Sequence, residues 1–285
     1  MSPALLAAAQ PLGLLYGALV GLALGLTGGG GSLLAVPLLV YGLGVSASQA
    51  VGTSLAAVGA VAAAGAVQRW RAGQLETRVG LIFAAGGMLG APVGSWLGRR
   101  IPQPALLTAF ALLMVAIAAR MWRQAVRDPR SAAAVRARVE ADGADDAGPF
   151  CRFDPAGRIR LDSRCGRALV VAGLLAGVLS GLFGVGGGFI IVPALVFFTG
   201  MSAHRAVATS LLVIALVCAS GVASFFVGGG ALPLGTTALF VVGGLAGMAG
   251  GTLTARRLSA AGLQKVFAVA IVAVAVFVLI KNLTA

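Results

Sequence analysis

Long apolar runs separated by short polar turns set the pattern of this chain. Residues 12–26 form the first run, and residues 33–43 follow a cluster of glycines. Residues 47–67, 79–97 and 105–121 complete a first half. Each of these last three is about 17–21 residues, enough to cross a hydrocarbon core of ~30 Å as a helix. Residues 123–167 break the pattern: they are rich in arginine and hold Asp128, Glu140, Asp142, Asp145, Asp146, Asp154 and Asp162. Apolar runs then resume in the same order at 168–182, 189–198, 206–227, 236–253 and 263–280.

The two halves match residue by residue. Shifted by 156 positions (181 − 25), residues 25–54 and 181–210 are identical at 16 of 30 places without a gap. The same shift sets Gly87 on Gly243, Gly94 on Gly250 and Arg100 on Arg256. Each copy carries a glycine cluster, Gly28-Gly29-Gly30-Gly31 and Gly184-Val185-Gly186-Gly187-Gly188, followed by Pro37 or Pro193. Each glycine costs a helix about 1 kcal/mol relative to alanine, so both helices are expected to break there. Broken backbone at membrane depth survives only where protein or a watery cavity surrounds it. Paired breaks in two matching halves point to a transporter's binding site.

The expected fold is therefore an all-α polytopic membrane protein of two homologous helical repeats with glycine-broken first helices. Residues 1–122 are the first transmembrane repeat, 123–167 a polar linker, and 168–285 the second repeat. Counting each broken segment once gives about 8 crossings and parallel halves; counting it twice gives up to 10 and inverted halves. Loop charge points both ways. Arg69, Arg71 and Arg78 in the loop 68–78 have no counterpart in 228–234, yet Arg99-Arg100 and Arg256-Arg257 are matched.

Within the linker, 131–140 reads as a short polar helix. Residues 150–154 and 158–162 around Pro155-Ala156-Gly157 read as a hairpin. Charge bias places this linker in the cytoplasm. Cys151 and Cys165 are accordingly expected as free thiols in a reducing compartment, and Cys218 as ordinary packing.

Composition narrows the class. The chain has 285 residues, 59% hydrophobic and 10% charged, with a mean hydropathy of +1.00. The net charge of +13 sits in loops and at the ends of apolar runs. That distribution follows the positive-inside rule and excludes nucleic acid as a partner. Residues 1–11 lack the basic start of a cleavable signal. Trp70, Trp96 and Trp122 fall near segment ends, as interface anchors do.

All eight acidic residues lie outside the apolar runs. A cation site or proton relay built on buried carboxylates is therefore disfavoured. No nucleophile–base pair, metal cluster or phosphate-loop motif occurs, so no enzyme, metal or cofactor is expected. What remains is backbone and hydroxyl. The candidate substrate-binding residues are Thr27, Gly29, Gly30, Gly31, Ser32, Thr53 and Ser54, with Gly184, Gly186, Gly187, Gly188, Thr209 and Ser210. Helix N-termini at the two breaks would offer unpaired amides and positive dipole ends to a small anion. His204, Arg205 and Gln49 are candidates for a gate or coupling group. The bland reading is that the glycines only allow close helix packing, and the hydroxyls only bond their own helices.

The second-half sequence Gly181-Leu182-Phe183-Gly184-Val185-Gly186-Gly187-Gly188, then Ile191-Val192-Pro193 and Ala206-Val207-Ala208-Thr209-Ser210, resembles the TauE/SafE family of sulfite exporters. The first half is similar, with Gly28 to Gly31, Val36-Pro37 and Val51-Gly52-Thr53-Ser54. The resemblance implies a multi-pass permease of the bacterial inner membrane for sulfite, sulfoacetate or related organosulfonates. Its partners would be that anion, the lipid bilayer and, in one arrangement, further copies of itself. A passive anion channel, or a permease of the same fold for another small anion or organic acid, fits the same residues. Phe183 stands where the first half has Thr27, so the two half-sites differ chemically.

Overall fold

A computed structural model describes residues 3–27, 29–127, 151–153, 159–160, 162–201, 203–254 and 260–283. The first half runs α1 (Pro3–Thr27), a short returning segment α2 (residues 30–42), α3 (Ala47–Arg71), α4 (Thr77–Arg100) and α5 (Gln103–Arg127). Two strands, β1 (Arg152–Phe153) and β2 (Ile159–Arg160), pair antiparallel, as the hairpin pattern predicts. The second half runs α6 (Ser163–Phe183), α7 (Gly188–Thr199), α8 (Ala203–Val227), α9 (Leu234–Thr254) and α10 (Ala260–Leu283). The expected helix at 131–140 lies outside the described residues. Five of the helices are long and apolar enough to span a membrane, and five shorter apolar helices accompany them among the described residues.

Two crossings clamp one half to the other. α1 packs along α9, and α4 along α6. Their contact is backbone on backbone. A Cβ at Gly17 or Gly21 would strike the Phe240 or Gly244 carbonyl, and one at Gly243, Gly247 or Gly251 the carbonyls of Leu14, Ala18 or Leu22. Gly173, Gly177 and Gly181 likewise meet Phe83, Gly87 and Ala91, while Gly86, Gly90 and Gly94 meet Val170, Leu174 and Val178. In lipid, where chain tails are as apolar as leucine, such close approach is what holds helices together. Most of the glycines outside the two clusters therefore do have the packing role.

These contacts also fix direction. Residue numbers rise together along α1/α9 and along α4/α6, so each pair is parallel. They run oppositely along α3/α8, where Gly52 meets Phe225, Gly221 meets Leu55, Gly59 meets Cys218 and Gly65 meets Leu211. α3 and α8 are thus antiparallel, although their bounds differ by the same offset at both ends (203 − 47 and 227 − 71 are each 156).

The gapless register does not carry into the fourth helix. Gly86 meets Val170 and Gly243 meets Leu14, and Val170 and Leu14 are themselves 156 apart. Gly86 is therefore the counterpart of Gly243, an offset of 157, rather than Gly87. The extra residue falls in the α8–α9 connection, 228–233, against 72–76 in the first half.

Pro92 lies inside α4 and has no N–H to give the Met88 carbonyl. Ser220 of α8 supplies the missing donor, its Oγ donating to Met88 O at 2.7 Å. Trp70 and Trp96 are exposed, and the Arg100 guanidinium sits 4.0 Å over the Trp96 ring.

The cysteine expectation is overturned: Cys151 and Cys165 form a disulfide. The hairpin turns the chain back on itself, so the residue before β1 returns to the first turn of α6, and both cysteines are buried there. Cys218 is free and buried.

Candidate functional site

The two glycine breaks meet. A Cβ at Gly29 would lie 2.7 Å from the Gly188 carbonyl carbon, and one at Gly188 would lie 2.6 Å from Gly29 Cα. The meeting point is half-way along the long central helices. Gly186 packs on Val58 of α3 and on Ile214 and Cys218 of α8, and Gly188 on Ile214. Gly29, Gly31 and Gly184 to Gly188 are all buried.

The two breaks are built differently. α6 ends on Gly184 in the left-handed region (φ 69°), whose N–H donates to Ser180 O at 2.8 Å. Gly186 and Gly187 share that conformation (φ 68° and 67°), which only glycine adopts without strain. α7 then starts at Gly188, capped by Gly187 with no side-chain hydrogen bond. Ile190 N and Ile191 N donate to Gly187 O. Helix geometry leaves the preceding amides, those of Gly188 and Phe189, without intrahelical acceptors.

The first break instead leads into a tight 3-10 turn, Gly30–Leu34, then one turn of α-helix, Ala35–Pro37, and a wide turn, Leu38–Gly42. Ser32 Oγ donates to Gly29 O at 2.8 Å, so its hydroxyl closes the turn. The three pieces follow one another as a single short apolar helical segment, Gly31–Gly42.

The predicted hydroxyls divide. Ser54 lies on the α3 face between Val51, which touches Gly184, and Val58, which touches Gly186. It is fully buried and its Oγ has no hydrogen-bond partner. Its counterpart Ser210 donates to the Val207 carbonyl at 2.9 Å. Thr53 and Thr209 point elsewhere, because one helical residue is a turn of about 100°. Thr53 Oγ1 accepts from Thr237 Oγ1 of α9 at 3.4 Å, and Thr209 Oγ1 accepts from Glu76 N, at the start of α4, at 3.1 Å. With α3 and α8 antiparallel, these two threonines sit at opposite ends. The side chain of Thr27 lies outside the described residues.

Sequence reasoning missed Ser180. It is fully buried, its Oγ has no partner, and its Cβ lies 3.4 Å from where a Cβ on Gly187 would stand. The available signal was its counterpart at the 156 offset, Leu24: a hydroxyl where the other copy is apolar.

The gate candidates also separate. Arg205 Nη1 pairs with Glu76 Oε1 at 3.0 Å, and Arg69 Nη1 lies 3.4 Å from His204 Nε2, tying the start of α8 to the α3–α4 connection. Gln49 stands at the other end of α3, where its Oε1 accepts from Ser46 Oγ at 3.1 Å. That end is closed by apolar groups, with Phe225 and Leu232 against Gly52.

The profile of the family described as "Sulfite exporter TauE/SafE" matches residues 13–278. The chain belongs to the TauE/SafE family. It is 38% identical over 273 residues to a "Probable membrane transporter protein" of Xylella fastidiosa, covering 93% of each chain. It is 29% identical to "Probable membrane transporter protein YdhB" of Bacillus subtilis, over 71% of this chain and 73% of that one. A "Probable membrane transporter protein" of Haemophilus influenzae is 29% identical over 78% of this chain and 75% of its own. No solved structure matches. As a TauE/SafE member the chain is a multi-pass membrane transporter rather than an enzyme. No buried lysine, arginine, aspartate or glutamate occurs among its described residues, and no metal-binding cluster.

Proposed function

We propose that this TauE/SafE protein is a secondary transporter of small sulfur-containing anions, sulfite or organosulfonates such as sulfoacetate, and that it exports them. The observation that carries the reading is the contact of Gly29 with Gly188 midway along α3 and α8. Two broken helices converging at that depth form a site from peptide dipoles, where a fixed buried cation would hold an anion too tightly to release. The antiparallel course of α3 and α8 supports two copies of one unit in opposite orientations, residues 1–122 and 168–285 about a linker at 123–167, with each broken segment crossing or re-entering twice. Rocking of such halves around a central site gives alternating access.

Charge supports an orientation. Arg69, Arg71, Arg78, Arg164, Arg167 and Arg205 gather at the end where α3 finishes and α4, α6 and α8 begin. Arg99, Arg100 and Lys281 lie at the other. By the positive-inside rule the first end faces the cytoplasm of a bacterial inner membrane, with the linker.

The test is counterflow of radiolabelled sulfite and a sulfonate panel in proteoliposomes of the purified protein. Accumulation of label against its gradient is the expected result. Flux that only dissipates a gradient would assign a passive anion channel, and no flux of any sulfur anion would refute the reading.

A further inference from the structure

The duplicated chain invites a symmetric site, with each break giving half the ligands. The geometry points to a one-sided site instead: we infer that the anion binds at the second break alone. The hydroxyls of Ser54 and Ser180 and the first amides of α7 would hold a singly charged SO3 head, the group common to hydrogen sulfite and sulfonates. This rests on the transport reading above and adds where the substrate sits and which charge state it carries.

Three observations support it. The second break opens directly into a twelve-residue α-helix, whereas the first enters its helical segment, Gly31–Gly42, through a five-residue 3-10 turn that Ser32 closes onto Gly29 O. Regular α-helical amides therefore face the meeting point on one side only. The hydroxyls follow the same division. Ser54 and Ser180 are fully buried and unpartnered; Ser180 borders Gly187, and Ser54 lies on the α3 face whose Val51 and Val58 touch Gly184 and Gly186. Ser32, beside the first break, and Ser210, the counterpart of Ser54 on α8, both donate to main-chain carbonyls. A serine within a helix ordinarily bonds the carbonyl a turn back. That these two leave this bond unmade, at a cost a buried hydroxyl normally avoids, marks them as donors awaiting an acceptor. Finally, no buried cation faces them among the described residues. Without a counter-charge, burial penalises a dianion far more than a monoanion, which selects sulfonate-like over sulfate-like ligands.

The experiment measures thermal unfolding of the full chain in detergent, titrated separately with methanesulfonate, sulfite, sulfate and chloride. Methanesulfonate and sulfite should raise the midpoint of the wild type, with sulfate at least ten-fold weaker. Ser54→Ala and Ser180→Ala should each weaken the apparent Kd for methanesulfonate about ten-fold, the scale of one hydrogen bond to a charged group. In the absence of anion, both variants should melt no lower than the wild type, because each removes an unpaired buried hydroxyl. A merely structural serine would instead lower the midpoint. Unchanged affinity in the double variant overturns the assignment. So does an equal loss in Ser210→Ala, or a wild type that no anion stabilises. Sulfate binding as tightly as methanesulfonate overturns the charge selection. Stabilisation by methanesulfonate in a protein that shows no counterflow would instead retain the site and refute transport.

Discussion

Alanine at Gly29 or Gly188 probes the meeting of the two breaks without altering a side chain. A Cβ at Gly29 falls 2.7 Å from the Gly188 carbonyl carbon and oxygen, and one at Gly188 falls 2.7 Å from Ile214 Cδ1 as well as 2.6 Å from Gly29 Cα. Main chain cannot swing aside as the tip of a side chain can. Gly188 opens a helix, so alanine suits its backbone and the penalty there is the approach alone. Restoring an ordinary 3.4 Å contact requires the breaks to part by about 0.7 Å (3.4 − 2.7). Overpacking on this scale costs about 1–3 kcal/mol. Each single variant should lose that much in reversible unfolding in mild detergent. Once the segments have parted, a second methyl meets less resistance, so the double variant should fall short of additivity by about 1 kcal/mol. Gly250→Ala, with nothing within 4 Å of its Cβ, is the reference and should be neutral or stabilise by up to about 1 kcal/mol, the helix preference of alanine. Two neutral single variants, or a strictly additive double variant, would refute the contact.

Other changes test the surrounding frame. Ser220→Ala strands the Met88 carbonyl and should cost about 1–3 kcal/mol; adding Pro92→Ala, which restores an N–H to that carbonyl, should recover most of it in the same unfolding assay. Under denaturing conditions, maleimide-polyethylene glycol should label one thiol, Cys218, before reduction and three afterwards, as gel shifts will read. Glu76→Gln should change stability by less than about 1 kcal/mol, because the Arg205 partner is half exposed and solvent screens the pair.

Much of this was legible in the residues because the duplication is strong. Helix order, the hairpin and the broken segments follow from apolar runs, turn chemistry and glycine clusters. Direction was not legible: the loops at 68–78 and 228–234 argued for inversion and the arginine pairs against it, and it is the glycine contacts that show α3 and α8 running antiparallel. The slip in the fourth helix was hidden by composition, since Gly87/Gly243 and Gly86/Gly243 score alike. The disulfide was lost because compartment was weighed before geometry. Thr53 and Thr209 were drawn into the site by adjacency to Ser54 and Ser210, although neighbouring helix positions face different partners. Ser180 was passed over because one serine in an apolar helix ordinarily bonds its own backbone.

The most direct test of the central claim, that converging glycine breaks carry the anion, is sulfite counterflow through Gly30→Leu and Gly186→Leu. A bulky side chain at Gly186 would enter the space bounded by Val58, Cys218 and Ile214. Variants that elute as monodisperse protein should lose flux by at least ten-fold. Wild-type flux through either folded variant would contradict the account.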